Sequence, residues 1–321
     1  MRRHAVALLL AAQVLGSSGA FAQSGPAKPA RPAQPPAEKP AAAANVDLAY
    51  GAYQRGLYLT AFNEATKRIE ANPQDAAAMT LLGELYNQGL GVRQDPKEAA
   101  RWYRLAADRG DAHAMASLGL MSADGRGLGK DPAAARAWFE KAAGLREPTA
   151  AYNLALLLLA SGTDADIARA AGLLRVAAEA EIGDAQHDLG VLYARGKGVA
   201  QNAEEAAKLY LRAAKNGSIA GEVELAIALF NGEGITKNEA QAARLFRRAA
   251  SRGNAIAQNR LARIYATGRG VPRNLIEAAA WHLLASGQGL PDSWLDGTLK
   301  EMPEQDRKRA EQIAAERAAV L

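Results

Sequence analysis

Cysteine is absent from this chain of 321 residues. That excludes disulfides, thiolate metal sites, a cysteine nucleophile and a lipoprotein anchor, which needs a processed cysteine. Histidine is scarce. Beyond the first 22 residues only His113, His187 and His282 remain, in different repeats and at unrelated positions; no metal site is expected. There is no nucleophile elbow and no phosphate-cradling glycine loop. After residue 22 no apolar run approaches the roughly 20 residues that a membrane-spanning helix needs. Aromatic residues make up only 6% of the chain, and 39 Lys+Arg against 34 Asp+Glu leave a charge of +5. So mild an excess does not point to nucleic acid. These absences lead to the expectation of a protein that is not an enzyme and carries no cofactor.

The chain has a repeat instead. A Leu followed by Gly or Ala recurs at Leu82, Leu118, Leu154, Leu189, Leu225 and Leu261, every 35 or 36 residues. A period of this size marks a solenoid of stacked helical hairpins. Within one unit, Leu81, Leu82, Leu85 and Tyr86 share a helical face, and Gly89-Leu90-Gly91 stops that helix. Asp95 caps the next helix and Pro96 takes its first position, where no amide donor is needed. The cap position reads Asp95, Asp131, Asp166, Asn202, Asn238, Asn274. A bulky pair follows: Trp102-Tyr103, Trp138-Phe139, Leu173-Leu174, Leu209-Tyr210, Leu245-Phe246, Trp281-His282. His282 stands where others have an aromatic, so packing accounts for it. Repeat three breaks the turn pattern with Ser161-Gly162-Thr163, which predicts a kink or hinge there. The fold class expected is all-α: an α/α superhelical solenoid of about six two-helix repeats with helical caps. Such arrays offer surface for binding rather than an enclosed reaction chamber.

The organisation around the repeats is also legible. Residues 1–22 read as a signal peptide: Arg2 and Arg3, a short apolar run, then Ala20-Phe21-Ala22 before Gln23. Residues 23–45 form a Pro/Ala-rich linker that cannot build a core. Residues 46–75 are a degenerate N-terminal capping hairpin with Ala49, Tyr53, Leu57, Tyr58 and Phe62 as its apolar positions. Residues 76–290 hold the six repeats, and 291–321 cap the far end, with Trp294, Leu295 and Leu299 covering repeat six and Pro303 starting a charged helix. The expected location is periplasmic or secreted, with no transmembrane span once the signal is cleaved.

Leu189-Gly190-Val191-Leu192-Tyr193 with Gly196-Lys197-Gly198-Val199, and Leu82-Gly83-Glu84-Leu85-Tyr86 with Gly89-Leu90-Gly91-Val92, resemble the Sel-one-like repeat family, a relative of the tetratricopeptide repeat. The resemblance covers about residues 76–289 and is weak only in repeat three. It implies an adaptor for protein complexes. Exported bacterial members are similar to periplasmic regulators of sensor kinases, or to secreted factors that bind host proteins.

By analogy with related hairpin repeats, the first helix of each unit faces a concave groove. The positions two before, two after and five after the anchor Leu then supply its lining, including Glu84, Leu120, Tyr152, Leu156, His187, Val191, Ile227, Phe230, Asn259 and Arg263. Its middle is apolar and its ends polar, which suits a protein or peptide partner. The same pattern is also compatible with side chains buried by tight winding. A second candidate surface comes from a charge gap: no acidic residue lies between Glu239 and Glu277, while eight arginines do. Arg244, Arg247, Arg248, Arg252, Arg269 and Arg273 could form a positive patch for an anionic envelope polymer, a lipid headgroup or an acidic protein. The leading expectation is an exported scaffold that docks an envelope protein or peptide and regulates or assembles it. The alternative is a cell-wall- or lipid-associated protein that uses the arginine-rich end.

Overall fold

A computed structural model describes residues 47–320, and every statement of structure below concerns those residues. The signal peptide and the linker read from the sequence lie outside them. Sixteen helices follow one another without a strand. The opening hairpin is α1 (Leu48–Gln54) and α2 (Tyr58–Ala71). The repeats are α3 (Ala76–Gln88) with α4 (Pro96–Ala107), α5 (Ala112–Asp124) with α6 (Pro132–Gly144), and α7 (Pro148–Ser161) with α8 (Asp164–Glu179). Then come α9 (Gly183–Arg195) with α10 (Ala203–Lys215), α11 (Ile219–Asn231) with α12 (Glu239–Ala250), and α13 (Ala255–Thr267) with α14 (Leu275–Gly287). The chain ends in α15 (Ser293–Leu299) and α16 (Glu304–Ala318). From α2 to α15 each helix packs on the one before it, and α16 packs back on α14, which is the all-α solenoid expected.

The caps form as the residue types dictate. Asp95 accepts from the amides of Lys97 and Glu98 at 3.0 Å each, and Asp131 does the same for Ala133 and Ala134. Asn202, Asn238 and Asn274 accept from the amides three residues on. Each such cap contributes roughly 1 kcal/mol. Asp166 is a correction. Thr163 caps α8, its hydroxyl accepting from the Asp166 amide at 3.2 Å. The helix therefore starts about one turn earlier than its counterparts, and Asp164 and Asp166 lie in its first turn. Their carboxylates suit the positive end of the helix dipole. The residues missing from that loop have become helix.

The two glycine types of the repeat have different causes. The glycine beside the anchor Leu makes room for the second member of the bulky pair. A Cβ on Gly83 would lie 2.7 Å from the Tyr103 ring, one on Gly119 2.5 Å from Phe139, and one on Gly190 2.7 Å from Tyr210. Those rings are buried, as are Leu174 and Phe246 in the same register. The second glycine of each turn lies in the left-handed region, and it also presses on the preceding repeat. A Cβ on Gly234 would lie 1.9 Å from the Ala203 carbonyl oxygen; on Gly270, 2.4 Å from that of Glu239. The turn is thus a stacking element as well as a helix stop. At the turn from second helix to next first helix, Gly110, Gly217, Gly253 and Gly289 have positive φ, but Arg146 (60°) and Glu181 (61°) take that position in repeats two and three. A side chain there costs about 1–2 kcal/mol.

The core is a continuous string of clusters rather than one centre. The anchors Leu82, Leu118, Leu154, Leu189, Leu225 and Leu261 are all buried, each contributing about 1.5–3 kcal/mol. Repeat three does not interrupt the string. Phe139, Leu154, Leu158, Leu174 and Leu189 belong to one cluster. The irregular turn there appears as the earlier start of α8, while the run of buried side chains continues through it.

The ends close the array unevenly. In the opening hairpin Ala49, Ala52, Ala61 and Ala65 are buried against Leu82 and Leu85, but Leu57 is exposed. At the other end Leu295 and Leu299 join the core. Trp294 does not; it is 43% exposed and stands over Arg263, 5.2 Å from guanidinium to ring centre. Asp292 ties this segment to repeat six. It accepts two bonds from Arg263 (2.6 and 2.8 Å) and one from Asn259 (2.8 Å). The Arg263 bonds hold its carboxyl well below the usual carboxylate range.

Candidate functional site: the face of the first helices

Successive first helices meet more closely than successive second helices do: α3 touches α5, α5 touches α7 and α9 touches α11. The first helices therefore lie on the inner side of the array. The two-after row, Glu84, Leu120, Leu156, Val191, Ile227 and Arg263, is half-exposed along its whole length. The two-before row is more closed: Thr80, Ala116 and Val223 are buried, while Tyr152, His187 and Asn259 stay half-exposed. Phe230, in the five-after row, is half-exposed too. The two rows lie four residues apart, about one turn along the same side of each helix.

Polar groups subdivide the strip. Glu84 accepts a 2.5 Å bond from the Tyr103 hydroxyl, so its carboxylate is engaged by its own repeat. In the middle, Asp188 bridges Tyr152 (3.4 Å) and the His187 Nδ1 (2.8 Å). Burial, with the Asp188 carboxylate beside it, raises the Tyr152 phenol above its ordinary range. At the C-terminal end Ile227, Phe230 and Arg263 line a recess of about 280 Å³, joined by Trp294.

The arginine patch does not assemble as one surface. Arg248 reaches Glu222 at 2.5 Å and Arg252 lies 3.7 Å from the same carboxylate, at the end of α12. Arg269 pairs with Glu239 at 2.5 Å and stacks on Phe230, at the opposite edge of the array, a helix length away. Arg247 donates to the Tyr265 hydroxyl and Arg273 to the Ala266 carbonyl. Arg244 is exposed and makes neither a hydrogen bond nor an ion pair among the described residues. The expectation that no carboxylate compensates these arginines is thus corrected. Glu222, Glu239 and Asp292 come from outside the charge gap in sequence but adjoin it in space.

One polar feature escaped the sequence reading. Three residues before the anchor Leu, repeats four to six carry Gln186, Glu222 and Gln258, all essentially buried. Gln186 donates to the Ala178 carbonyl (3.0 Å) and Gln258 to that of Ala250 (3.2 Å), the last turns of the preceding helices. Each adds a bond to a last-turn carbonyl that also accepts a backbone amide, that of Glu181 at Ala178 and that of Gly253 at Ala250. The signal was present in the register, since earlier repeats have Met79, Met115 and Ala151 there. Beside Gln186, Glu181 accepts from Asn216, Gln186 and Arg212, which holds its carboxyl down to about 2. Among the described residues no group of three or more metal-ligating side chains occurs.

A family model described as Sel1 repeat matches the chain six times, over residues 76–111, 112–145, 148–181, 183–218, 219–254 and 255–290. Among solved structures the chain resembles a Sel1 repeat protein from Oxalobacter formigenes. That match has 29% identity and a TM-score of 0.62, covering 75% of this chain and 97% of the other. It also resembles a protective antigen of uropathogenic Escherichia coli that displays an SLR fold, at 27% identity and a TM-score of 0.58. There 82% of this chain matches 64% of the antigen, so the chain spans less than two thirds of the antigen's length. No curated protein matches it. Repeats of this type serve as scaffolds for protein–protein contact. With six in-phase matches laid on six helical hairpins, the chain belongs to the Sel1 repeat family.

Proposed function

We propose that this protein is an exported scaffold that docks a protein or peptide of the cell envelope along the face of its first helices, and regulates or assembles it. The observation that carries the reading is the half-exposed apolar row Leu120, Leu156, Val191 and Ile227. A row of this kind, flanked by polar groups, is what a protein interface uses. The signal-like start and the Pro/Ala-rich linker in the sequence support export. No helix of the described residues is long and apolar enough to cross a membrane. The reading as an anionic-polymer binder draws less support, because its arginines are divided between two edges and three of the six face carboxylates.

A photo-crosslinking residue at position 156 or 191, compared with one at Ala137 on α6, tests the groove in living cells. Adducts to envelope protein are expected from the first two and not from Ala137. Equal labelling from all three, or none, would dismiss the groove. Fractionation tests export; retention of the unprocessed chain in the cytoplasm would dismiss that part.

A further inference from the structure

The C-terminal end of the groove has two things its middle lacks: an aromatic wall supplied by the cap, and an uncommitted cation. Phe246 and Ile264, both buried, form the floor of the 280 Å³ recess, and Phe230 and Trp294 stand at its sides. Ligand pockets run from about 300 to 1,000 Å³, so this space suits one bulky side chain rather than a whole small molecule. At its rim, Arg263 is engaged by Asp292 and Arg269 by Glu239. Arg260 also lines the recess, is exposed, and makes neither a hydrogen bond nor an ion pair among the described residues. It borders a second, open recess of about 530 Å³ on the other side, with Asn259, Leu290 and Ser293. Its five N–H donors thus stand between two spaces, and each carboxylate at the rim already has a guanidinium partner.

We infer that this end of the groove holds an extended acidic segment of a partner protein, one bulky apolar side chain entering the smaller recess beside Phe230 and Trp294 and an adjacent side-chain carboxylate pairing with Arg260. The inference rests on the groove reading above and assigns it a ligand chemistry. Charge complementarity decides the occupant. At the recess three arginines, Arg260, Arg263 and Arg269, meet two carboxylates, Asp292 and Glu239, which leaves the Arg260 charge without an ion pair, so a basic segment is repelled and an acidic one attracted. The planar guanidinium favours a carboxylate, which it can bind through two donors. On this account α15 does more than close the array: Trp294 stays out of the core because it walls a binding recess.

Selection of random dodecapeptides displayed on phage against the purified chain provides the probe. Enriched peptides should carry Asp or Glu beside Phe, Trp, Leu or Met. The tightest of them should lose affinity at least tenfold against Arg260→Glu and against Trp294→Ala, and less against Arg260→Gln. Both positions are surface-exposed, and an unchanged circular dichroism spectrum shows that the variants fold. Peptides that bind both variants as they bind the parent, but fail on Leu156→Asp, would overturn this inference and leave the groove reading standing. Basic or uncharged winners, or no enrichment, would also overturn it. The groove reading is then judged separately by the position-156 crosslinks. Binding of anionic phospholipid vesicles through Arg260, without any peptide, would refute it in favour of a membrane contact.

Discussion

Replacing Gly234 by Ala should uncouple repeat four from repeat five, and Gly253 is its internal control. Both glycines have positive φ, 67° and 83°, so a side chain at either meets the same backbone penalty, about 1–2 kcal/mol. Their surroundings differ. Nothing lies within 4 Å of a Cβ added at Gly253, whereas at Gly234 it would fall 1.9 Å from the Ala203 carbonyl oxygen and 2.7 Å from the Glu204 amide nitrogen. Both obstacles are backbone, so the turn must draw back from the first turn of α10. Overpacking of this kind costs about 1–3 kcal/mol. The expected losses are therefore about 1–2 kcal/mol for Gly253→Ala and about 2–5 kcal/mol for Gly234→Ala. In a solenoid the second loss falls on one interface, not on a shared core. Urea unfolding followed by circular dichroism should show a modest midpoint shift for Gly253→Ala. For Gly234→Ala it should show a larger shift with a broadened or two-step transition. Equal losses for the two variants would refute the idea that these turns hold neighbouring repeats together.

Three further outcomes can be checked. Arg146→Gly relieves a left-handed side chain at the cost of an exposed pair with Glu179, and should stabilise by roughly 0.5–1 kcal/mol in thermal unfolding. Gly119→Ala should destabilise by about 1–3 kcal/mol through the Phe139 ring. Adding Phe139→Leu should recover part of that loss, since repeat three pairs Ala155 with Leu174; a strictly additive double mutant would contradict the contact. The Asp292 carboxyl is depressed in the folded chain, so its contribution is complete above the unfolded value near 3.8 and fades as pH falls toward the folded one. The protection of α15 and α16 against amide exchange, relative to the intrinsic rate at each pH, should fall below about pH 4 in the parent, and Asp292→Asn should show the lower protection at neutral pH as well.

The repeat, its hairpin and most of its caps were legible in the sequence because they are local. A cap needs one side chain and an amide two or three residues on. An anchor Leu is buried because its face is apolar every 36 residues or so. Asp166 misled for the same reason: position in the repeat pointed to it, while Thr163, three residues earlier, offered a hydroxyl to the amide of Asp166 itself. The candidate groove was read as three rows, and the rows are real registers. Their exposure, closed in one and half-open in another, depends on how adjacent first helices meet.

What sequence alone determined is everything carried by periodicity: helical hairpins, their number and the residues that start and stop them. What only the tertiary structure decided is everything that joins residues about one repeat apart. Glu222 and Glu239 reach arginines 26 to 30 positions away, Asp292 binds Arg263 29 positions back, and Trp294 lines a recess instead of covering the core. Stacking brings such residues together, and linear distance along the chain says nothing about it. An acid-free stretch of sequence can therefore border three carboxylates in space.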